Sequence, residues 1–581
     1  MEGVAIKYGD IALGAKETFI PMASEKADFV DLGQLQQYNL DFPNYVNPCE
    51  LYSTPLDGSG IPFPVDAENR NMGYWSEQVS RNDGAFATPI VLTLTADRTF
   101  SSQGFTLTFD TDNNIYPNDV NITWFNGSLQ IATKDFQIDR AQYFCHNQVS
   151  NFDKVIMTFY DLNMGYNRLK LRAIDYGYGT VFYGDELRNV KIIQEIDPIS
   201  SQIAINTADF TVDAKGDIEY SFQEGQSFEI YFNDNLLMKT FVKSSKRKAR
   251  LLWDVQSEDY IGLLDSVMYY GDMYKDEQPV SYASDVIQDI MRTAKVPYTL
   301  SSDFDNETIT GYIPYTTCRD ALMQVAFAIG AVVDTSYSDV VNIYKLSDTV
   351  QQTITKDRIM QGQNFDADNV VTSVEVVAHK YEEENKEEVK VYSGKPEDNG
   401  KDMTIVFPES IHAPYTLSGI TLIDIKPNYG TFHVNQPSSI YLYGYKYVET
   451  TRTYSQYNPD AQGHAENIMA IQNATLVTEE NIDNVLDRCY NYLVKTDTTN
   501  MEIVEGVSVT GGEAITYGNV LYGEAVYGER TERIVEYDEP VHVGDLITAE
   551  TEYLGTKTGR VIQQTYSLIG NIIVKETVMR S

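Results

Sequence analysis

Between Gly311 and Asp334 the chain reads Gly-Tyr-Ile-Pro-Tyr-Thr-Thr-Cys-Arg-Asp-Ala-Leu-Met-Gln-Val-Ala-Phe-Ala-Ile-Gly-Ala-Val-Val-Asp, and this segment limits the accessible folds more tightly than any other. Tyr312-Ile313 is strand-like and runs into a turn set by Pro314. Thr316 or Thr317 then offers a hydroxyl N-cap, and Leu322, Val325, Ala326 and Ile329 follow at helical spacing until Gly330 can close the helix in the left-handed conformation. Ala331-Val-Val leaves as a strand, with Val340-Val-Asn-Ile-Tyr344 as its hairpin partner. The segment predicts a β-α-β-β unit in which the helix is a packing element, because no nucleophile, base or metal ligand stands out in it.

One such unit accounts for a small part of 581 residues, a length that exceeds a single hydrophobic core. The 42 Tyr lean the remainder towards β-structure and interfaces. With 44 Lys+Arg against 84 Asp+Glu the net charge is -40, which argues against specific nucleic-acid binding or anionic-membrane binding through the overall field. Cys49, Cys145, Cys318 and Cys489 form no CxxC pair, so zinc-ribbon and thioredoxin readings fail and buried thiols are expected. The first residues lack a basic start and apolar run, and no segment reaches the roughly 18 apolar residues of a membrane helix. Synthesis in a reducing cytoplasm and no membrane span are expected.

Pattern changes along the chain predict a mainly β, multidomain protein with an α+β domain. Residues 1–84, rich in Pro and Gly, read as an irregular arm. Residues 85–184 alternate apolar and polar positions in at least five segments, including Thr88–Thr95, Val120–Phe125 and Val155–Tyr160, and predict a β-sandwich. Residues 185–256 predict a first small β-barrel, and 257–350 the α/β domain, whose Val286, Ile287, Ile290, Met291 and Ala294 stripe marks another helix. A second β-region spans 351–500, with an acidic hairpin pairing Val374–Val377 with Val389–Tyr392 and a helix over 478–495. Residues 501–581 predict a C-terminal β-barrel made from a meander, preceded by a Gly-kinked aromatic loop at Tyr517, Tyr522 and Tyr527.

The chain carries none of the usual catalytic signatures: no GxSxG, HExxH, GxxxxGK[ST] or helix-opening GxGxxG. No catalytic residue, cofactor or metal ligand is assigned. Cys489 with His542 is the one dyad weighed, and Cys489 falls on a packing stripe. Asp110-Thr-Asp112-Asn-Asn114 begins like a calcium loop but continues with Ile115 and Asn121 where Gly and Glu are required, so an Asx-rich turn is expected. Trp124 and Phe125 are candidate carbohydrate contacts. Lys243, Lys246, Arg247, Lys248 and Arg250 concentrate positive charge in a hairpin turn and are assigned to a subunit interface.

Two resemblances add to this reading. Ser101–Asp110 with Leu169–Gly177 resembles discoidin-type carbohydrate-binding modules. Over 185–581, Glu224–Tyr231, Trp253–Tyr260, Gly311–Asp334 and Gly544–Ile547 resemble the baseplate hub proteins of bacteriophage tails and related injection particles. The hub resemblance implies a non-enzymatic, trimeric virion component at the tail tip. Its implied partners are two further copies of itself, a distal tail or tube protein, a tape-measure protein and a tip spike or fibre protein. Host cell-wall carbohydrate is the partner implied by the sandwich. A carbohydrate-binding adhesin and a cell-wall hydrolase are the competing functions.

Overall fold

The computed structural model describes residues 4–27, 30, 32, 33, 35, 73–111, 113–213, 222–232, 235–275, 280–355, 364–367, 371–435, 439–458, 468–471, 474–494, 499–506, 541–551, 555–568 and 573–580. Most of the predicted arm, Cys49, Asp112, the Tyr517–Tyr527 loop and Gly570-Asn571, where the expected C-terminal meander makes a turn, lie outside the described residues. The protein is mainly β and divides into two compact units, one comprising Lys7–Val181 with Ile218–Ser227 and the other the rest of the chain.

In the first unit the strands order as Ile20–Ala23, Ala85–Thr108, Gln142–Asp161, Asp119–Asn126 and Leu129–Gln137, with Ala173–Asp175 paired to Ala85–Thr108. The long Ala85–Thr108 and Gln142–Asp161 strands pair from Ala85↔Asp161 to Thr108↔Gln142, with register shifts between Thr95 and Gly104. Gly104 takes φ 146°, and a Cβ there would meet the Cys145 carbonyl at 2.2 Å, so the close approach of the two strands demands glycine. Phe19, Phe105, Phe152 and Tyr176 fill the core with ring centroids 5.0–6.0 Å apart.

The second unit corrects the expectation of two separate barrels at 185–256 and 501–581. Their strands lie in one sheet, ordered Ser227–Phe232, Asn235–Arg247, Leu252–Glu258, Thr207–Asp213, Leu187–Glu195, Gly555–Ser567, Ile573–Arg580, Thr499–Gly506, Asn364–Ala367. The joint is antiparallel, from Lys191↔Ser567 to Glu195↔Gln563. Each segment leaves an edge of unpaired amides and carbonyls, and the two edges satisfy one another. Among the described residues no sheet closes on itself. The C-terminal meander is present as expected, Leu546–Thr551 pairing with Gly555–Ser567 and that strand with Ile573–Arg580.

The β-α-β-β unit follows its sequence closely. Thr317 caps helix α3 (Cys318–Ile329) through the Asp320 amide at 3.1 Å, and Gly330 ends it at φ 76°. Val332–Asp334 and Val341–Tyr344 form the antiparallel pair. Helix α2 (Ala283–Ala294) buries Val286, Ile287, Ile290 and Met291 against α3, and both join α1 (Tyr260–Ser266) in one core.

A buried polar node anchors α1. Asp259 caps it, accepting from the amides of Ile261 (3.0 Å), Gly262 (3.3 Å) and Asn206 (3.1 Å) and from the Thr335 hydroxyl. Burial nevertheless pushes its carboxyl up to about 7, and burial raises neighbouring Asp334 to about 6. Both groups therefore hold protons in the folded state at pH values where the unfolded chain has released them. Their contribution to stability is present near the unfolded carboxyl value of 3.8 and lost as pH rises through about 6 to 7. The urea midpoint of this unit is expected to fall between pH 5 and about 7.5. Asp259→Asn, which keeps a side-chain cap, should flatten that slope. A midpoint that rises across the same range would contradict the assignment.

In the second β-region, Ser373–Glu382 lies between Val448–Tyr457 (antiparallel) and Ile468–Ile471 (parallel), covered by helix α4 (Ile482–Leu493). The expected acidic hairpin is not formed. Glu388–Ser393 instead pairs with Tyr441–Lys446 and opens an inserted sandwich of two three-stranded sheets around Phe432, Leu442, Ile411 and Val434. Both β-segments alternate apolar residues, and the long-range partners bury those faces, which a local hairpin on a charged tip does not. Helix α4 begins at Ile482 and not at Thr478, because the Asn481 side chain accepts from the Thr478 amide at 2.9 Å and holds a turn ahead of it.

Candidate functional site

The sequence-derived candidates separate once placed. Trp124, on the Asp119–Asn126 strand, is fully buried and stacks on Phe105 at 5.9 Å. It is a core residue and cannot meet a sugar, which corrects that assignment. The alternation of the strand decides this: Val120, Ile122 and Trp124 share the inward face. Phe125 points the other way, half-buried, with the Lys154 ammonium 5.0 Å from its ring centre.

Asp110 is also buried, its carboxylate 3.3 Å from Lys170 Nζ and 2.8 Å from Arg172 Nη2. Asn113 completes an Asx-type turn, its backbone amide donating to the same carboxylate at 3.4 Å and its side-chain amide at 3.0 Å. Burial works against the charge, but Lys170, Asn113 and Arg172 outweigh it and hold the carboxyl below its ordinary value. Lys170 also lies over Trp75, 4.4 Å from the ring centre. The Asp110 oxygens, the first of those that suggested a cation loop, are thus committed to protein cations.

The basic cluster sits on a hairpin as the sequence implied, between Asn235–Arg247 and Leu252–Glu258. Lys243 pairs with Glu258 and Lys248 with Asp254, while Lys246 stands opposite Asp254 in register. The Lys248 ammonium holds the Asp254 carboxyl below its usual value. Arg247 lies over Trp253 at 5.4 Å and donates to the Arg250 carbonyl at 3.0 Å. Several of these cations are therefore met by carboxylates of their own chain, which weakens the patch as a polyanion site.

Cys145, Cys318 and Cys489 are free and buried, and burial raises the thiols to about 12, 11 and 11. Cys489 packs with Ile482 and Val485, whereas His542 packs on Tyr337 at 4.0 Å, so the two do not form a dyad. Among the described residues no group of three or more His, Cys, Asp and Glu is placed to hold a metal ion, and no helix is long and apolar enough to cross a membrane.

One concave site went unread in the sequence. A cleft of about 410 Å³ lies where Met273–Tyr274 and Gly311 of the α/β domain face the Ser373–Glu382 strand and the turn before α4. Tyr274, Tyr381 and Tyr447 supply rings, and Lys275, Lys380, Glu383, Glu479 and Glu480 supply charge. Most of these groups are fixed. Lys275 pairs with Glu383, Tyr447 donates to Glu383 at 3.3 Å, and Thr310 bonds Thr478 at 2.8 Å and Glu480 at 3.2 Å. His379 binds Glu449 through Nδ1 at 2.8 Å, and its buried Nε2 has no partner among the described residues. Its residues come from separate segments spread between Met273 and Glu480, and no local motif could have announced them. The only sequence signal was the abundance of tyrosine.

No family model and no curated protein matches the chain. Solved structures that match it include a tail protein from Neisseria meningitidis MC58, 9% identical with a TM-score of 0.39 and covering 68% of this chain and 93% of that one. A 43 kDa tail protein of prophage MuSo2 from Shewanella oneidensis is 10% identical with a TM-score of 0.40, covering 69% and 96%. Prophage tail protein gp18 from Listeria monocytogenes EGD-e is 11% identical with a TM-score of 0.37, covering 69% and 91%.

Proposed function

We propose that this chain is a structural hub of a bacteriophage tail or related injection particle, a homotrimer at the tail tip that joins the tube to the tip. The observation that carries the proposal is the joint between Leu187–Glu195 and Gly555–Ser567. Strands from the two ends of the 187–580 span form one sheet, and the α/β domain and second β-region are inserted between them. That order of parts is the one for which the sequence resembles hub proteins. A scaffold of this kind carries load through backbone pairing and presents its inserts to neighbours.

In this reading the partners are two further copies, a distal tail or tube protein, a tape-measure protein and a tip spike or fibre protein. The Lys243–Arg250 hairpin faces a subunit neighbour through Arg250 and the exposed sides of the paired lysines. The chemistry is assembly and not turnover. Native mass measurement on the purified full chain should give three copies. A species that remains a single copy at all concentrations, and in released tail tips, would overturn the proposal.

A further inference from the structure

The cleft between the α/β domain and the second β-region has the makings of a ligand site. Its volume of about 410 Å³ falls within the range of small-molecule clefts, about 300–1,000 Å³. Two lysines against three glutamates line it, so its charge is close to balanced and favours neither a polyanion nor a strongly cationic peptide. Its ion pairs and hydroxyl bonds already hold Lys275, Glu383, Thr310 and Glu480 in place, so donors and acceptors are presented without the cost of ordering them. The rings of Tyr381 and Tyr447 add flat apolar surface beside those polar groups.

His379 is the second, independent observation. Its ring is buried, Nδ1 is occupied by Glu449, and Nε2 has no partner among the described residues. With Nδ1 engaged by a carboxylate, Nε2 is the ring nitrogen left to bond a hydroxyl of a ligand. Rings for the apolar face of a sugar, alternating donors and acceptors for its hydroxyls, and balanced charge describe one ligand class.

We propose that this cleft binds a neutral saccharide. It does so independently of the tail reading, since the residues named all lie in the cleft and not at the sheet joint. The test uses the full-length chain with glucose, galactose, N-acetylglucosamine and N-acetylgalactosamine, each as monomer and as β-linked tetramer, followed by calorimetry and saturation-transfer NMR. At least one sugar should bind with Kd at or below about 10 mM, and Tyr381→Ala should weaken it about tenfold. Because Tyr381 also bonds Glu449, the exposed Glu479→Ala and Lys380→Ala variants provide a second reading, each with the expectation of a several-fold loss at unchanged Tm. Absence of binding by every sugar, or affinity unaltered in all three variants, would overturn the proposal. Loss of binding with trimer mass intact separates it from the assembly reading.

Discussion

Asp110→Ala is expected to destabilise the unit containing residues 7–181 by about 3–5 kcal/mol, because it leaves two buried cations, Lys170 and Arg172, without their shared carboxylate. The side chains of all three are between 1% and 7% exposed, so solvent cannot take over the role of the missing charge. Urea unfolding followed by fluorescence of Trp75 and Trp124, both in this unit, reads the loss. Replacing all three members with apolar residues of similar volume should restore most of it. The pH dependence has the opposite sign from that of the Asp259 node. A carboxyl held below its usual value contributes stability that is present above the unfolded pKa and disappears as pH falls through the folded one. A wild-type unit that resists acid as well as the Asp110→Ala variant would refute this account.

Removing residues 545–581 is expected to abolish folding of the larger unit altogether. The deletion takes away buried Leu546, Ile547, Val561, Tyr566 and Leu568. At about 1.5–3 kcal/mol for each large apolar side chain, the loss is roughly 10 kcal/mol, comparable with the whole stability of an ordinary domain. It also strips Leu187–Glu195 of one of its two partner strands and removes Arg560, whose guanidinium donates to the Gly544 and Ser347 carbonyls at 2.7 and 2.9 Å. Exposed strand edges should then drive the truncated chain into aggregates, measured as the soluble fraction after expression. A soluble, cooperatively unfolding product would show that the 187–258 strands form a self-sufficient body.

Local signals carried the fold as far as local signals reach. Thr317 and Gly330 bracket α3 because cap chemistry is decided by neighbours in sequence, and the Val286–Met291 stripe buries the face that its spacing dictates. Partner choice between strands was much less legible. Val374–Val377 and Val389–Tyr392 are close in sequence and alternate correctly, yet each pairs elsewhere, since register and partner depend on which faces the rest of the chain can cover. Trp124 shows the same limit at a site. Composition marks an aromatic as a sugar platform or a core filler with equal force, and only the inward face of its strand distinguishes them. The cleft was illegible because its walls come together from Met273, Gly311, Ser373–Glu382 and Thr478, a convergence that exists only in the folded chain.

The joint between Lys191 and Ser567 also sets a timetable for synthesis. The strand at Leu187–Glu195 leaves the ribosome roughly 370 residues before its partner, an interval on the order of 20–75 s at ordinary elongation rates. Through that interval one long edge has no mate, and a polysome holds many such nascent chains side by side. A pairing this distant in sequence is also among the slowest to form. The acidic composition takes on a kinetic meaning here: an excess of like charge opposes contact between neighbouring copies whose edges are still open.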